Sequence, residues 1–428
     1  VNHTDPAIII IILIYLLTVL LSATKIVPMS IAALSGALLT AWFGLQYGVF
    51  NYEDALNFID VKLLGLLIGT MIVVEVAEKS GLFRFGALYA VKLSEGNPGR
   101  LFISICIISA VVSSFLSDQT AMLLMAAATV TISKLLNYDP IPYFLSATIM
   151  INLGGTSTLI GSTSNMIIGV SSEWSFTDFI IHLTLCEAAL WALTTFALYM
   201  IFKSRLGKKK TLPEYSPWQS ITNKKFFYQS ILILILLVFL FLSLENLGVG
   251  PEAVALGCAI LALAFSNLDP AEIFKRLDWE TVFFIAGFMF IVGGIQETGI
   301  LNVVSEGFFT QANSPLSATL STLWLSGIAS AVVSNVAIAL TFLPIVTSFS
   351  ALNPTLHLPV SSALILGTNL GGATTPLSGS ICIMALGALK REGISMSFSE
   401  FTKIGLITSM LQLCFSSLYL IWRFGLGG

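Results

Sequence analysis

SSFLSDQTAMLL, Ser113 to Leu124, and SAVVSNVAIALT, Ser330 to Thr341, are apolar stretches with polar centres. The first places a carboxylate, Asp118, between two runs that would suit lipid. The second has Asn335 in the same place. The wider regions, 99–135 and 316–350, are apolar but interrupted at Ser117-Asp118-Gln119 and at Ser334-Asn335. Each half reads as about half a bilayer long at ~1.5 Å per residue. The pattern predicts two re-entrant helical hairpins with polar tips near the membrane midplane. Non-helical backbone is tolerated at that depth only when buried in protein or facing a wet cavity.

The composition supports a membrane reading. The 428 residues are 56% hydrophobic and 10% charged, with a mean hydropathy of +0.92. A soluble domain needs far less apolar surface. Segments long enough to span fall near 7–24, 27–46, 61–78, 141–170, 178–202, 227–245, 250–267, 280–298, 358–386 and 402–423. The expected fold is therefore all-α and polytopic, with about ten transmembrane helices plus the two hairpins. The N-terminal run lacks a basic leader and a small-residue cleavage site, and reads as a first span. Cys106, Cys186, Cys258, Cys382 and Cys414 lie singly in apolar segments and suggest neither a disulfide framework nor a metal site. No cofactor is implied. The basic residues form no stripe suited to nucleic acid.

Lys and Arg orient the chain. With both termini outside an inner membrane, only Lys62 and Arg423 of the 20 basic residues fall outside. Such a bias follows the positive-inside rule. The segment 203–226 is polar and basic and reads as a cytoplasmic linker. It separates a first unit, 1–202, from a second, 227–428.

The two units repeat one another. Asp60, Gly69 and Gly81 match Asp278, Gly287 and Gly299 at an offset of 218 residues. The hairpin tips match at 217. NLGG at Asn152–Gly155 recurs at Asn369–Gly372, again at 217. SFTDF, Ser175–Phe179, recurs as SFSEF, Ser397–Phe401, at 222. Each unit contributes five crossings and one hairpin. Five is odd, so the second copy is expected to be inverted, with the first hairpin open to the cytoplasm and the second to the outside. Inverted repeats with discontinuous helices build midplane sites in secondary transporters.

Two polar runs follow the hairpins: GGTSTLIGSTSN, Gly154–Asn165, and GGATTPLSGS, Gly371–Ser380. Glycine and Pro376 within a span unwind backbone. Freed N–H and C=O groups with hydroxyls beside them can replace a solute's hydration shell. The first tip contributes Ser117, Asp118 and Gln119 as candidate ligands, and the second Ser334 and Asn335. Asn152, Gly155, Thr156, Thr158 and Asn165 are candidates from the first run. Asn369, Gly372, Thr374, Thr375 and Ser378 are their counterparts. Small residues also let helices approach closely. That reading accounts for Gly69 and Gly287, but less well for two symmetric polar clusters.

SSFLSDQTAMLLM, NLGGTSTLIGSTSNMIIG, SNVAIALTFLPIV and GTNLGGATTPLSGS together resemble the ion-transporter superfamily. Its members include arsenical pump membrane proteins, NhaD-type sodium/proton antiporters, P-protein permeases and divalent-anion/sodium symporters. The resemblance implies an elevator-type transporter, a homodimer whose scaffold supports a moving domain with the tips and unwound helices. The divalent-anion symporters have Ser-Asn-Thr at both tips. Here the first has Asp118 for Asn, and the second has Val336 in third place. A carboxylate beside a dianion is repulsive unless protonated or paired. The arsenical-pump branch fits better, through Thr375-Pro376 and Gly379-Ser380. It implies proton-coupled efflux of arsenite, antimonite or a similar neutral metalloid hydroxide, with a cytoplasmic ATPase as a partner of such a pump.

Three intramembrane acids are weighed separately. Asp118 reads as a coupling group, a helix N-cap, or both. Glu187 is a second coupling candidate, balanced between structural and functional roles. Glu75 is expected to pair with Lys79 at i+4. The rival readings are a sodium-coupled cation antiporter or anion symporter, a channel, and a membrane-embedded enzyme. The last lacks a Ser-His-Asp or metal-ligand arrangement in the spans.

Overall fold

The computed structural model describes residues 6–24, 26–116, 118–210, 216–244, 247–301, 314–378, 380–391 and 393–426. Ser117 and Gly379 lie outside that set, as do the side chains of Asp118, Gln119 and Ser380. The described residues are helical, without a strand. The first half folds as α1 (Pro6–Thr24), α2 (Met29–Gln46), the short α3 (Tyr52–Leu56), α4 (Val61–Lys79) and α5 (Leu82–Ser94). The pair α6 (Pro98–Ser113) and α7 (Asp118–Leu136) follows, then α8 (Pro140–Gly154), α9 (Thr163–Ser171) and α10 (Phe176–Phe202). The second half has α11 (Lys224–Leu244), α12 (Pro251–Ser266), the short α13 (Pro270–Arg276) and α14 (Trp279–Glu297). It ends with the pair α15 (Pro315–Ser330) and α16 (Asn335–Leu352), then α17 (His357–Gly371), α18 (Ser380–Arg391) and α19 (Phe398–Phe424).

Local chemistry explains two of the sequence landmarks. Asp60 caps α4, accepting from Lys62 N at 2.8 Å and Leu63 N at 3.2 Å. Asp278 caps α14 through Thr281 N at 3.1 Å. Ser175 and Asp178 form a capping box at the start of α10, and Ser397 accepts from Glu400 N at the start of α19. These residues recur because the helices they begin recur, each cap contributing about 0.5–2 kcal/mol.

The repeated glycines mark the closest crossings, and these crossings are exchanged between the halves. A Cβ on Gly69 of α4 would come within 2.7 Å of Ala255 C in α12. One on Gly287 of α14 would come within 2.7 Å of Ala33 C in α2. Each half thus supplies a glycine groove for a helix of the other. Within each half α6 packs on α8 and α15 on α17, with α10 over α8 and α19 over α17, while α16 and α17 meet α9, α18 meets α7 and α19 meets α10 across the halves. Exposed Leu20, Leu38, Leu232 and Ile260 on α1, α2, α11 and α12 give an apolar surface suited to lipid.

Among the described residues, six helices are long and apolar enough to cross a membrane: α1, α2, α10, α11, α14 and α19. The expected spans 141–170 and 358–386 are each divided, into α8 and α9 and into α17 and α18. The arms of the broken pairs are longer than expected. At ~1.5 Å per residue, the 16 residues of α6 and of α15 reach about 24 Å. That is most of a hydrocarbon core of ~30 Å rather than half of it. Residues 82–94, outside the expected spans, form α5 against α6 and α7.

The linker is tied down at its start. Arg205 Nη2 meets Asp139 Oδ2 at 2.7 Å, and its Nη1 meets Glu400 Oε1 at 2.9 Å. Tyr143 Oη donates to Leu206 O at 3.1 Å, and Lys210 N to Gly96 O at 3.0 Å. α11 begins at Lys224, inside the expected linker.

Candidate substrate site between two helix breaks

The first break opens where α8 ends. Gly155–Ser157 form a single 3-10 turn, and the chain restarts as α9 with Ser162 as its cap. Asn165 holds this break. Its Nδ2 donates to Gly155 O at 2.9 Å, Thr156 O at 3.2 Å and Thr158 O at 2.8 Å. In the second break Ser378 Oγ donates to Gly372 O at 2.7 Å, and Cys382, the counterpart of Asn165, brings Sγ within 3.6 Å of the same carbonyl. Unwound carbonyls that would otherwise be orphaned are thereby satisfied.

Each break is bonded to the turn of its own helix pair by the same device. Thr158 Oγ1 donates to Ser114 O at 2.6 Å, and Thr375 Oγ1 to Ala331 O at 2.6 Å. All four residues obey the 217 offset. Pair and break therefore form one unit in each half.

The two units meet through asparagines. Asn152 Nδ2 donates to Asn369 O. Asn369 Nδ2 donates to Asn165 Oδ1 at 2.7 Å and to Ile365 O at 2.8 Å, while Ser164 Oγ donates to Asn369 Oδ1 at 3.2 Å. Asn152 Oδ1 is buried without a partner. It faces Gly372, where a Cβ would meet it at 2.8 Å and would meet Asn335 Oδ1 at 2.5 Å and Nδ2 at 2.6 Å. Ser330 Oγ lies 2.7 Å from Asn335 Oδ1. Asn152, Asn335 and Gly372 thus surround one point, and the Gly372 backbone approaches it because no side chain intervenes.

The other sequence candidates divide. Thr156 is fully buried, and its hydroxyl has no partner. Thr374, expected to face the same site, turns to α19 and bonds Ser409 at 2.8 Å. Asn165, Thr158, Thr375 and Ser378 commit their donor groups to backbone carbonyls. Ser334 is the N-cap position of α16 without a side-chain capping bond. Of the first tip, Ser117 and the side chains of Asp118 and Gln119 lie outside the described residues; α7 starts at Asp118. Glu187 lies on the buried face of α10.

Two clefts enter the protein at places related by the repeat. One, of 150 Å³, starts at Glu75, Arg276 and Asp278 and reaches Phe115, Thr120, Ile160 and Thr163, beside the first tip and break. The other, of 490 Å³, is lined by Asp54, Asn57, Glu297, Pro344 and Thr347 and does not reach the second tip. Their walls are related by the repeat: Met71, Val74, Glu75 and Leu123 in the first, and Met289, Val292, Gly293 and Leu340 in the second. Sequence reasoning missed the partner of Glu75. Its Oε1 meets Arg276 Nη1 at 3.5 Å, across the halves, rather than pairing with Lys79. At the equivalent place Phe58 packs on Gly293. No local pattern could show either contact.

Comparison with known proteins agrees with the architecture. A family model described as "Citrate transporter" (CitMHS) matches residues 17–363. A 46 kDa membrane protein of Mycobacterium leprae is 27% identical over 422 residues, covering 96% of this chain and 97% of its own. The P protein of Mus musculus is 23% identical, covering 93% of this chain and 58% of its own. The YdaH transporter of Alcanivorax borkumensis shares the fold at TM-score 0.65 and 15% identity, covering 98% of this chain and 99% of its own. MtrF of Neisseria gonorrhoeae does so at TM-score 0.63 and 13% identity, covering 100% and 96%. Several helices apolar enough to span, two helix breaks and a family match over most of the chain lead to one conclusion: the chain belongs to the citrate transporter (CitMHS) family of the ion-transporter superfamily and is a multi-pass membrane transporter.

Proposed function

We propose that the chain is a proton-coupled carrier of a small solute bound between the two breaks, with arsenite or antimonite as its substrate class. The observation that carries this reading is the Asn152–Gly372–Asn335 centre. Its described hydrogen-bonding groups are amides, hydroxyls and backbone, with no Lys or Arg among them. A neutral trihydroxide matches such a set, donating to Asn152 Oδ1 and accepting from amide N–H groups. A bound dianion would leave its charge uncompensated. In this reading each helix pair and break moves as one body, as an elevator, against the scaffold made by the exchanged glycine crossings. The cleft from Arg276 to Thr163 is then the open side. The family description favours a second reading, a cation-coupled citrate-like carboxylate carrier, in which bound cations supply the missing positive charge.

Counterflow in proteoliposomes separates the two. Arsenite and antimonite are expected to exchange without sodium and to accumulate with a pH gradient. Alanine at Asn152 or Asn369 is expected to lower exchange about tenfold or more (~1.4 kcal/mol) with insertion unchanged. Exchange of citrate or a dicarboxylate dependent on sodium would select the second reading. Parental rates in both alanine variants would remove the centre from the transport path.

The proposed orientation, with both termini outside, has its own test. In a Cys414→Ser background, a cysteine replacing Lys208 is expected to resist an impermeant thiol reagent added outside intact cells, and one replacing Asn353 to react. The positive-inside rule carries this expectation. Labelling at 208 from outside would reverse the orientation.

A further inference from the structure

Glu187 lies midway along α10, on the buried stripe that includes Leu183, Cys186, Leu190 and Thr194. It is 1% exposed, and neither carboxyl oxygen makes a hydrogen bond of ordinary geometry; its polar neighbour is the Trp191 indole N–H, one turn along α10. α10 packs on α8, on the 3-10 turn of the first break and on α19. The facing wall is also short of partners. Thr156 Oγ1 and Ser157 Oγ, in the 3-10 turn that α10 packs against, are unpaired.

The repeat shows what the same seam contains in the other half. The 222 offset that aligns Ser175 with Ser397 places Ser409 opposite Glu187 in the comparison. The 217 offset that aligns Asn152 with Asn369 places Thr374 opposite Ser157. Thr374 and Ser409 bond each other at 2.8 Å and close the second seam. In the first seam the serine of the long helix is replaced by a carboxyl, and the hydroxyl of the break is left unbonded.

Charges on the surrounding elements stand at the helix ends. Near one end of α10, Arg423 Nη2 meets His182 Nδ1 at 3.3 Å, and Asp178 closes a capping box. Near the other, Arg205 holds Asp139 and Glu400. Arg100 on α6 pairs with Glu95. Lys224 and Lys225 begin α11, and Lys403 lies in the first turns of α19. The other titratable groups of these elements are thiols and phenols: Cys106, Cys186, Cys414, Tyr143, Tyr199, Tyr228 and Tyr419. Among the described residues no cation bonds Glu187, and an ionised carboxylate without a partner is strongly disfavoured in such a place.

We propose that Glu187 is a proton-binding site that controls the first helix break. It holds a proton in the conformation seen here. It releases it when the break parts from α10 and water reaches Thr156 and Ser157. The bound proton makes the packed state favourable, and its loss makes that state costly. This rests on the reading of the chain as a proton-coupled carrier, but its test does not need the solute.

Dicyclohexylcarbodiimide, an apolar carbodiimide, adds to protonated carboxyl groups in apolar surroundings. The full-length protein in vesicles, treated and analysed by peptide mass spectrometry, is expected to carry the adduct on Glu187. The adduct is expected to decline as the pH rises and to be absent in Glu187→Gln. In transport, Glu187→Gln is expected to retain solute exchange but to lose its pH dependence. Three results would overturn the proposal: no adduct at Glu187 at any pH, an adduct insensitive to pH, or protection by sodium at fixed pH, which would assign the site to a metal cation. Failure of the parent to move arsenite, with the pH-dependent adduct present, would overturn the substrate alone.

Discussion

Alanine at Gly372 is expected to abolish transport in a protein that still folds, whereas alanine at the adjacent Gly371 is expected to remove the folded protein. The substitution is the same, and the neighbours decide the outcome. At Gly372 the new methyl meets the ends of two side chains, Asn335 at 2.5 and 2.6 Å and Asn152 at 2.8 Å. Those amides can swing aside with little cost to the fold, but the pose that defines the centre is lost. At Gly371 the methyl meets the Gly327 backbone of α15, its carbonyl O nearest and its C at 2.9 Å, and also Ser330 Cβ at 2.9 Å. Two helix backbones must separate, and overpacking of this kind costs about 1–3 kcal/mol or more. Thermal shift with size-exclusion profiles reads the first property, and counterflow the second. Wild-type transport by Gly372→Ala would show that solute does not pass between Asn152 and Asn335. Wild-type stability of Gly371→Ala would show that the α15–α17 crossing is looser than described.

Asn at position 118 is expected to abolish gradient-driven accumulation while sparing solute exchange. α7 begins at Asp118, so the residue stands where the positive end of a helix favours an anion. Asn caps a helix about as well as Asp, so the fold should persist. It cannot bind and release a proton. Moving a fixed charge through the membrane centre costs about 2.5–3.5 kcal/mol on the insertion scale, and protonation avoids most of that. Asn335→Asp is not expected to rescue Asp118→Asn, because Asn335 is held by Ser330 within the amide centre. Accumulation by Asp118→Asn equal to the parent would reduce Asp118 to a cap and leave Glu187 as the coupling group.

The broad architecture was legible because its signals are local. Polar interruptions in apolar runs marked both helix pairs, Gly154 and Gly371 marked both breaks, and matching motifs aligned the halves. The site was legible only as a list of polar residues. Asn152 and Asn369 do approach each other, but Thr374 bonds Ser409 and Asn165 closes the break, because bond partners depend on which helix crosses overhead. Glu75 paired with Arg276, 201 residues away, where helix periodicity offered Lys79. The spans over 141–170 and 358–386 looked continuous in hydropathy, because a break lined by Ser, Thr and Gly lowers the average too little to divide the segment.

The exchanged glycine crossings bear on how the protein is made. Synthesis is sequential, and α2 and α4 leave the ribosome long before α14, whose Gly287 groove receives Ala33, and α12, which enters the groove at Gly69. Over the first 202 residues, α6, α8 and α10 can pack as they will remain, but α2 and α4 have only lipid or chaperone against those faces. The first half must therefore wait in the membrane in an open form, and the crossed helices close when α14 arrives. Arg205, Leu206 and Lys210 fasten the start of the connecting segment to the first half, so the segment leaves from a fixed position as the second half enters. Assembly is a clasp rather than two domains joined end to end.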